Sequence, residues 1–223
     1  MRLSDDEQRM LDGREGPAKQ KAMDVLVRYG EALGADRLID TRNVCGTVGA
    51  STPFLREFAA KGGGLDAVFS EFNLDSSEVV ENPGAQVFTC QIIQGLDAEQ
   101  WQVQGIAPDV ADRHKATEAY MARIGVQPTN SCVPYQLGNV PVMGEHCAWM
   151  ESSAVVYCNS VLGARTNTEG RESAGAAMLT GKIPYWGYHL AENRRGTHFV
   201  EVELDVRDGM DWGLLGYYVG EMV

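Results

Sequence analysis

Between Pro17 and Leu33 apolar positions recur every three to four residues, and Ala22, Val25, Leu26, Tyr29 and Leu33 fall on one stripe. This spacing predicts an amphipathic helix, with Pro17 suited to its first turn and Gly34 to the left-handed position after its last. Upstream, Ser4 is followed three residues later by Glu7, and Asp5 and Asp6 add negative charge where a helix dipole is positive. That is a capping box, so a short first helix is expected. The pattern then changes to short apolar runs separated by helical stretches. RLID (37–40), LDAVFS (65–70), QVFTCQII (86–93) and residues 126–131 read as strands, as does THFVEVEL (197–204) with imperfect alternation. Residues 52–61, 109–124, 148–162, 173–179 and 210–222 read as helices, the second of these with Ala116, Ala119, Tyr120 and Ile124 facing inward. Gly62-Gly63-Gly64 is a breaker, and Gly181 and Pro184 stop the helix at 173–179. Alternation of this kind predicts an α/β fold, a largely parallel or mixed sheet flanked by helices. The helical segment 1–35 is expected to pack on an α/β region spanning 36–223. The last residues, GYYVGEMV, are apolar, which suits a chain that stops in mid-architecture.

Composition narrows the function. The 223 residues are 44% hydrophobic and 22% charged, with a formal net charge of -12. Such a balance opposes unaided binding to nucleic acid phosphates or anionic membrane and favours a small-molecule partner. No apolar run approaches the roughly 20 residues needed to span a bilayer, and MRLSDDEQRM is too acidic for a secretory signal, so a cytoplasmic protein is expected. Five cysteines at wide spacing, without a C-x-x-C pair, read as reduced thiols.

Chemistry concentrates in three stretches. SCVPYQLGNVP (131–141) sets Cys132 among Thr129, Asn130, Ser131, Pro134, Tyr135 and Asn139, a rigid polar loop after a strand. Ligands in open α/β sheets bind beyond the carboxyl ends of strands, where both Cys90 and Cys132 are expected. A free cysteine is otherwise a small buried hydrophobe, a role that suits Cys147 and Cys158. GARTNTEGRES (163–173) gathers Arg165, Thr166, Asn167 and Glu169 before a helix that Ser173 can cap, which suits a carboxylate or phosphate. Glu145-His146 and Glu151-Ser152-Ser153 flank Trp149 and offer acid-base groups; a Cys132 nucleophile activated by His146 is one arrangement they allow.

Residues 131–170, SCVPYQLGNVPVMGEHCAWMESSAVVYCNSVLGARTNTEG, resemble the signature of the aconitase X family. That signature carries a threonine-cysteine-threonine-proline-tyrosine loop, a glycine-acid-histidine step, an alanine-tryptophan-x-glutamate-serine-serine-alanine-valine run and an asparagine-serine-x-leucine-glycine-alanine-arginine-threonine-asparagine run. LDGREGPAKQKAMDVLVRYGEALGADRLI and GYHLAENRRGT resemble its flanking segments, so the resemblance covers essentially the whole chain. It implies an aconitase-like fold and a hydro-lyase that dehydrates a small hydroxy acid, such as cis-3-hydroxy-L-proline or phosphomevalonate. It also implies an iron-sulfur cluster or mononuclear iron as Lewis acid, with Cys132 as a metal ligand. Glu151, Ser152, Ser153 and His146 would be catalytic, and Arg165, Thr166, Asn167, Asn159 and Ser131 would hold substrate. The family's catalytic chain is about twice as long and works with a small swivelling subunit or domain, so a missing C-terminal half with further cluster cysteines is expected. The alternative is a non-catalytic or incomplete subunit that needs a partner chain to complete the site. Three departures stand out: SCVPY lacks the usual threonines, TNTEGRES replaces asparagine-arginine-glutamate-glycine-glycine-proline-serine, and Cys45 and Cys90 stand where cysteine is not the rule.

Overall fold

A computed structural model describes residues 1–48, 80, 82–92, 96, 97 and 99–223, and the statements below concern those residues. The helix expected at 52–61, the glycine breaker at 62–64 and the strand expected at 65–70 lie outside them. The described residues form two compact units, 1–190 and 191–223.

The amino-terminal helices follow their local signals. In α1 (Asp5–Leu11) the Ser4 side chain accepts the Glu7 N–H at 3.3 Å, and the Glu7 carboxylate accepts the Ser4 N–H at 2.8 Å. Helix α2 (Pro17–Ala32) starts on its proline and ends where Gly34 takes φ +77°, a conformation that favours glycine. Its buried face is Ala18, Ala22, Met23, Leu26 and Gly30, while Leu33 is exposed. The stripe is therefore rotated from the one expected, toward the small residues that let α2 lie close to its neighbours. At Gly30 the side chain of Pro184 comes close enough that a Cβ would lie 3.1 Å away.

Two small sheets organise the first unit. Strands β1 (Leu38–Asp40) and β5 (Lys182–Pro184) pair antiparallel. Strand β2 (Asn43–Val48) is the centre of a parallel sheet of order β3-β2-β4, with β3 (Gln86–Ile92) and β4 (Cys147–Trp149) on either side. The unit thus holds one antiparallel and one parallel sheet. Two extended segments prolong it without becoming strands. The stretch expected as a strand at 126–131 makes a bridge from Gln127 to Phe88, then Pro128 removes a donor and Asn130 turns to φ 47°. On the other edge, Arg165 bridges His146 and Thr168 bridges Trp149.

Alternation along the strands gives the sheet two different faces. Val44, Val87 and Ala148 join the buried side chains of α2 and of α5 (Arg171–Thr180). Every residue of α5 from Ser173 to Thr180 is buried, and its alanines and glycine bring it directly onto β2. Gly46 marks that approach, since a Cβ there would lie 2.6 Å from Met178 Cε and 3.2 Å from Ala174 Cβ. The opposite face carries Cys45, Phe88, Cys90, Cys147 and Trp149 and packs on α4 (Ser152–Ser160) through Ala154, Val155 and Cys158. Residues 148–162 were expected as one helix. Instead the apolar Cys147–Trp149 segment is a buried strand, and the helix begins only at Ser152.

One hydrogen-bonded group sits inside this second core. Asn43 and Asn139 exchange side-chain amide bonds at 2.6 and 3.1 Å, and the fully buried Trp149 donates its Nε1–H to Asn43 Oδ1 at 2.9 Å. Asn43→Ala is expected to cost about 2 kcal/mol, because it leaves the Trp149 and Asn139 groups buried without partners. Urea denaturation of the two proteins measures the difference.

Helix α3 (Pro108–Arg123) buries Ala111, His114 and Met121, with His114 Nε2 3.2 Å from Glu118. Ala119 of the expected inward set is exposed and Ala116 and Ile124 are half-buried, because the inward stripe starts at Ala111. In the second unit, residues 197–204 form no strand, with Phe199 and Leu204 exposed, and α6 (Gly209–Met222) has no buried residue. Apolar and acidic residues alternate there, but no strand among the described residues pairs with the segment. Among the described residues no helix is long and apolar enough to cross a membrane.

Candidate active site

The carboxyl ends of β2, β3 and β4 bring four chemically active side chains to one place. Cys45 lies opposite both Phe88 and Trp149 in register, and Cys90 falls at a register slip after Gly46, as the extra residue of a bulge. A bulge re-aims a side chain and is found next to active sites. Cys90 Sγ lies 3.6 Å from Thr47 Oγ1. It also hydrogen-bonds to Cys45 and to Glu151, the residue that follows β4 and precedes α4. The hydrogen bond from Cys45 holds the Cys90 thiol below the ordinary thiol range; the same contact, then burial, pushes Cys45 well above it.

Cys132 approaches this group from the adjacent loop and lies within electrostatic range of Cys45. It is half-buried, unlike the other four cysteines, which are buried. The loop is fixed by Thr89, the residue before Cys90. Thr129 Oγ1 donates to the Thr89 carbonyl at 2.7 Å, Asn130 N–H donates to Thr89 Oγ1 at 3.0 Å, and Thr89 Oγ1 donates to Asn130 Oδ1 at 2.7 Å. Ser131 N–H reaches the Thr89 carbonyl at 3.3 Å, and the Ser131 hydroxyl accepts the Val133 N–H at 3.1 Å. Beyond the cysteine, Tyr135 stacks on Tyr157 of α4 with ring centroids 3.8 Å apart. Glu151 makes no capping bond to α4, and Ser152 and Ser153 open the helix as exposed residues. The first-turn N–H groups of a helix lack intrahelical acceptors, so this end suits an anion.

His146 and Arg165 stand elsewhere. They bridge each other at the amino end of β4, whereas Glu151 follows its carboxyl end. There His146 Nδ1 lies 2.9 Å from His189 Nδ1, and Arg165 donates to the His189 carbonyl at 2.8 Å. The histidine of GYHLAENRR thus meets the histidine of GEHCAW. His146 and Glu151 thus flank β4, one beyond each end.

Three further residues of the expected substrate set are bonded into the framework. Thr166 is fully buried, accepts the Trp149 N–H at 3.0 Å and donates to the Asn167 carbonyl at 2.8 Å. Asn159 donates to the Val155 and Thr166 carbonyls at 2.9 and 2.8 Å, tying α4 to the 165–168 segment. Asn167 donates to the Trp186 carbonyl at 3.2 Å and accepts the Tyr188 N–H at 2.8 Å.

Glu169 was grouped with its loop on sequence, not singled out. It is 3% exposed, with Oε2 accepting the Ser173 hydroxyl at 2.7 Å and Oε1 buried without a hydrogen-bond partner. Burial raises its carboxyl to about 7, and burial together with Glu169 raises Tyr29 of α2 to about 12. A glutamate directly before the Gly170 cap of a fully buried helix was the available signal. For Cys45 and Cys90 the signal was their placement in apolar strand patterns. Among the described residues no three histidine, cysteine or acidic side chains stand close enough to hold a metal ion.

Three comparisons bear on this geometry. Residues 1–192 match the family described as aconitase X, first domain. The phosphomevalonate dehydratase large subunits of Methanothermobacter thermautotrophicus and Methanocaldococcus jannaschii are 41% and 36% identical, over 97% and 100% of this chain and 51% and 53% of theirs. The cis-3-hydroxy-L-proline dehydratase of Hypocrea jecorina is 31% identical over 99% of this chain and 35% of its own length. The crystal structure of Thermococcus kodakaraensis aconitase X in its holo-form matches with a TM-score of 0.73 and 34% identity, covering 100% of this chain and 52% of that one. The chain spans about half the length of the large subunits it matches. With a matching family domain, a shared fold and the loop cysteine at the strand ends, the chain belongs to the aconitase X family.

Proposed function

We propose that this chain forms the first half of the catalytic part of a hydro-lyase that removes water from a small hydroxy acid, with its site at the carboxyl ends of β2, β3 and β4. The carrying observation is that the family's loop cysteine, Cys132, lies within electrostatic range of Cys45 at the strand ends in a chain 41% identical to a phosphomevalonate dehydratase large subunit.

An iron-sulfur cluster or a mononuclear iron fits the donor chemistry here as far as one ligand. Cys132 is a half-buried thiol in a loop whose hydrogen bonds keep it in place. The chain covers 51% of the Methanothermobacter thermautotrophicus large subunit, and in this reading the further ligands lie in the half it does not cover. Bound there, the group supplies a Lewis acid that eases the departure of hydroxide. The chain's own side chains orient the hydroxy acid. Ser152 and Ser153 and the first-turn N–H groups of α4 bind its acid group, and the Ser131 loop closes the opposite wall. Glu151 is the carboxylate nearest the thiols and takes a proton at its Oε atoms. Thr166, Asn167 and Asn159 are positioning residues acting through the main chain. Arg165 and His146 buttress the amino end of β4 through His189. A small partner subunit, as the name "large subunit" of the relatives implies, completes the assembly, which works in the cytoplasm.

The test joins this chain anaerobically to the second half and the small subunit, loads iron, and supplies phosphomevalonate and cis-3-hydroxy-L-proline in separate reactions. Proton NMR is expected to show one of them losing its hydroxyl with the appearance of an unsaturated product. Failure of the iron-loaded assembly to dehydrate either acid contradicts the reading.

A further inference from the structure

Four of the five cysteines lie on one face of the parallel sheet or on the helix covering it, in two contacting pairs. Cys147 and Cys158 pair across β4 and α4, both fully buried, with Cys147 Sγ 3.9 Å from the Glu145 carbonyl. Cys45 and Cys90 pair at the carboxyl end, and their surroundings differ.

We propose that Cys45 and Cys90 are an oxidative modification site, closing a reversible disulfide between β2 and β3 when the protein meets a small hydroperoxide. Side chains on one face of neighbouring strands stand within the span of a disulfide, about 5 Å between strands. The two residues are offset by the register slip after Gly46, and a bulge gives the backbone local freedom to close that offset. Cys90 has what an attacking sulfur requires. The Cys45 thiol donates to it and Thr47 Oγ1 lies 3.6 Å away, while the charge of Glu151 opposes its ionisation and the Glu151 carboxylate accepts its hydrogen bond, which gives the proton a place to go. Cys45 and Cys90 are each 1% exposed, and the Glu151 beside Cys90 is half-buried.

The chemistry balances with the hydroperoxide as two-electron oxidant. The Cys90 thiolate attacks the terminal peroxide oxygen and the O–O bond breaks. An alcohol, or water from hydrogen peroxide, leaves with the proton that Cys90 gave up, and Cys90 becomes a sulfenic acid. The Cys45 sulfur then attacks the Cys90 sulfur, the S–O bond breaks, and water leaves with the Cys45 proton. The inference concerns thiols outside the proposed iron ligand and stands whether or not the dehydratase reading holds.

The test uses the full chain, metal-free and anaerobic, given stoichiometric hydrogen peroxide. It is then denatured with N-ethylmaleimide and digested with trypsin without reductant. Cys45 falls in peptide 43–56 and Cys90 in peptide 62–113. Mass spectrometry is expected to find these two peptides joined, lighter by two hydrogen atoms than their sum and separated by dithiothreitol. Cys132, Cys147 and Cys158 are expected to carry maleimide. In Cys90→Ser the joined species disappears and Cys45 is labelled. Maleimide on both Cys45 and Cys90 in the wild-type chain overturns the proposal. So does a crosslink to the Cys132 peptide, or oxidation of Cys147 and Cys158 at the same dose.

Discussion

Glu169→Gln is expected to abolish a fall in stability of about 3 kcal/mol that the wild-type protein undergoes as pH rises from 4.5 to 7. The sign follows from proton uptake. The Glu169 carboxyl titrates near 4.5 in the unfolded chain and near 7 in the folded protein, where burial disfavours its charge. Between those values the folded state holds a proton that the unfolded state has released, so stability declines with pH across the window and is level above it. Glutamine mimics the neutral acid and keeps an oxygen for the Ser173 hydroxyl, so the variant carries no such decline. Guanidinium denaturation at pH 5 and pH 7.5 reads the effect as a difference of differences, in which all other titrating groups cancel. An E169Q protein whose stability changes with pH as steeply as wild type contradicts a buried, neutral Glu169.

What could be read from the sequence depended on how local the cause was. Helices α1 and α2 were legible because Ser4, Glu7, Pro17 and Gly34 act on their own neighbours. The segment Cys147–Trp149 was misread because its residues continue the apolar pattern of the helix after them; the strand exists only because β2 lies alongside to pair with it. Strand β2 was missed for a related reason, since its Gly46 is explained only by α5 seated against it. Residues 197–204 erred the other way, since an alternating pattern predicts a strand yet supplies no neighbour to hydrogen-bond it. Within the candidate site, Cys132, Glu151, Ser152 and Ser153 were legible from motif and chain position. Cys90 was expected at a strand end, but its convergence with Cys45 was not legible, since that depends on the parallel register of two strands far apart in the chain. The placing of His146 and Glu151 was equally hidden. Four residues separate them, and the strand among these puts them at its two ends.

The same topology bears on the metal. A half-buried thiol at strand ends can be lost without disturbing the fold, because Thr89 fastens the loop through Thr129 and Asn130. Cys132→Ala is therefore expected to keep the far-ultraviolet circular dichroism and unfolding midpoint of the parent while losing a ligand outright. Cys45→Ser and Cys90→Ser touch the buried pair behind it, and are expected to leave the metal in place.

Iron content decides the matter most directly. The chain should be prepared anaerobically with the second half of its relatives, as wild type and as Cys132→Ala, and bound iron measured per protein together with the visible absorption of the cluster. The account predicts iron and colour in the wild-type protein and background levels of both in the variant; equal iron in the two would contradict it.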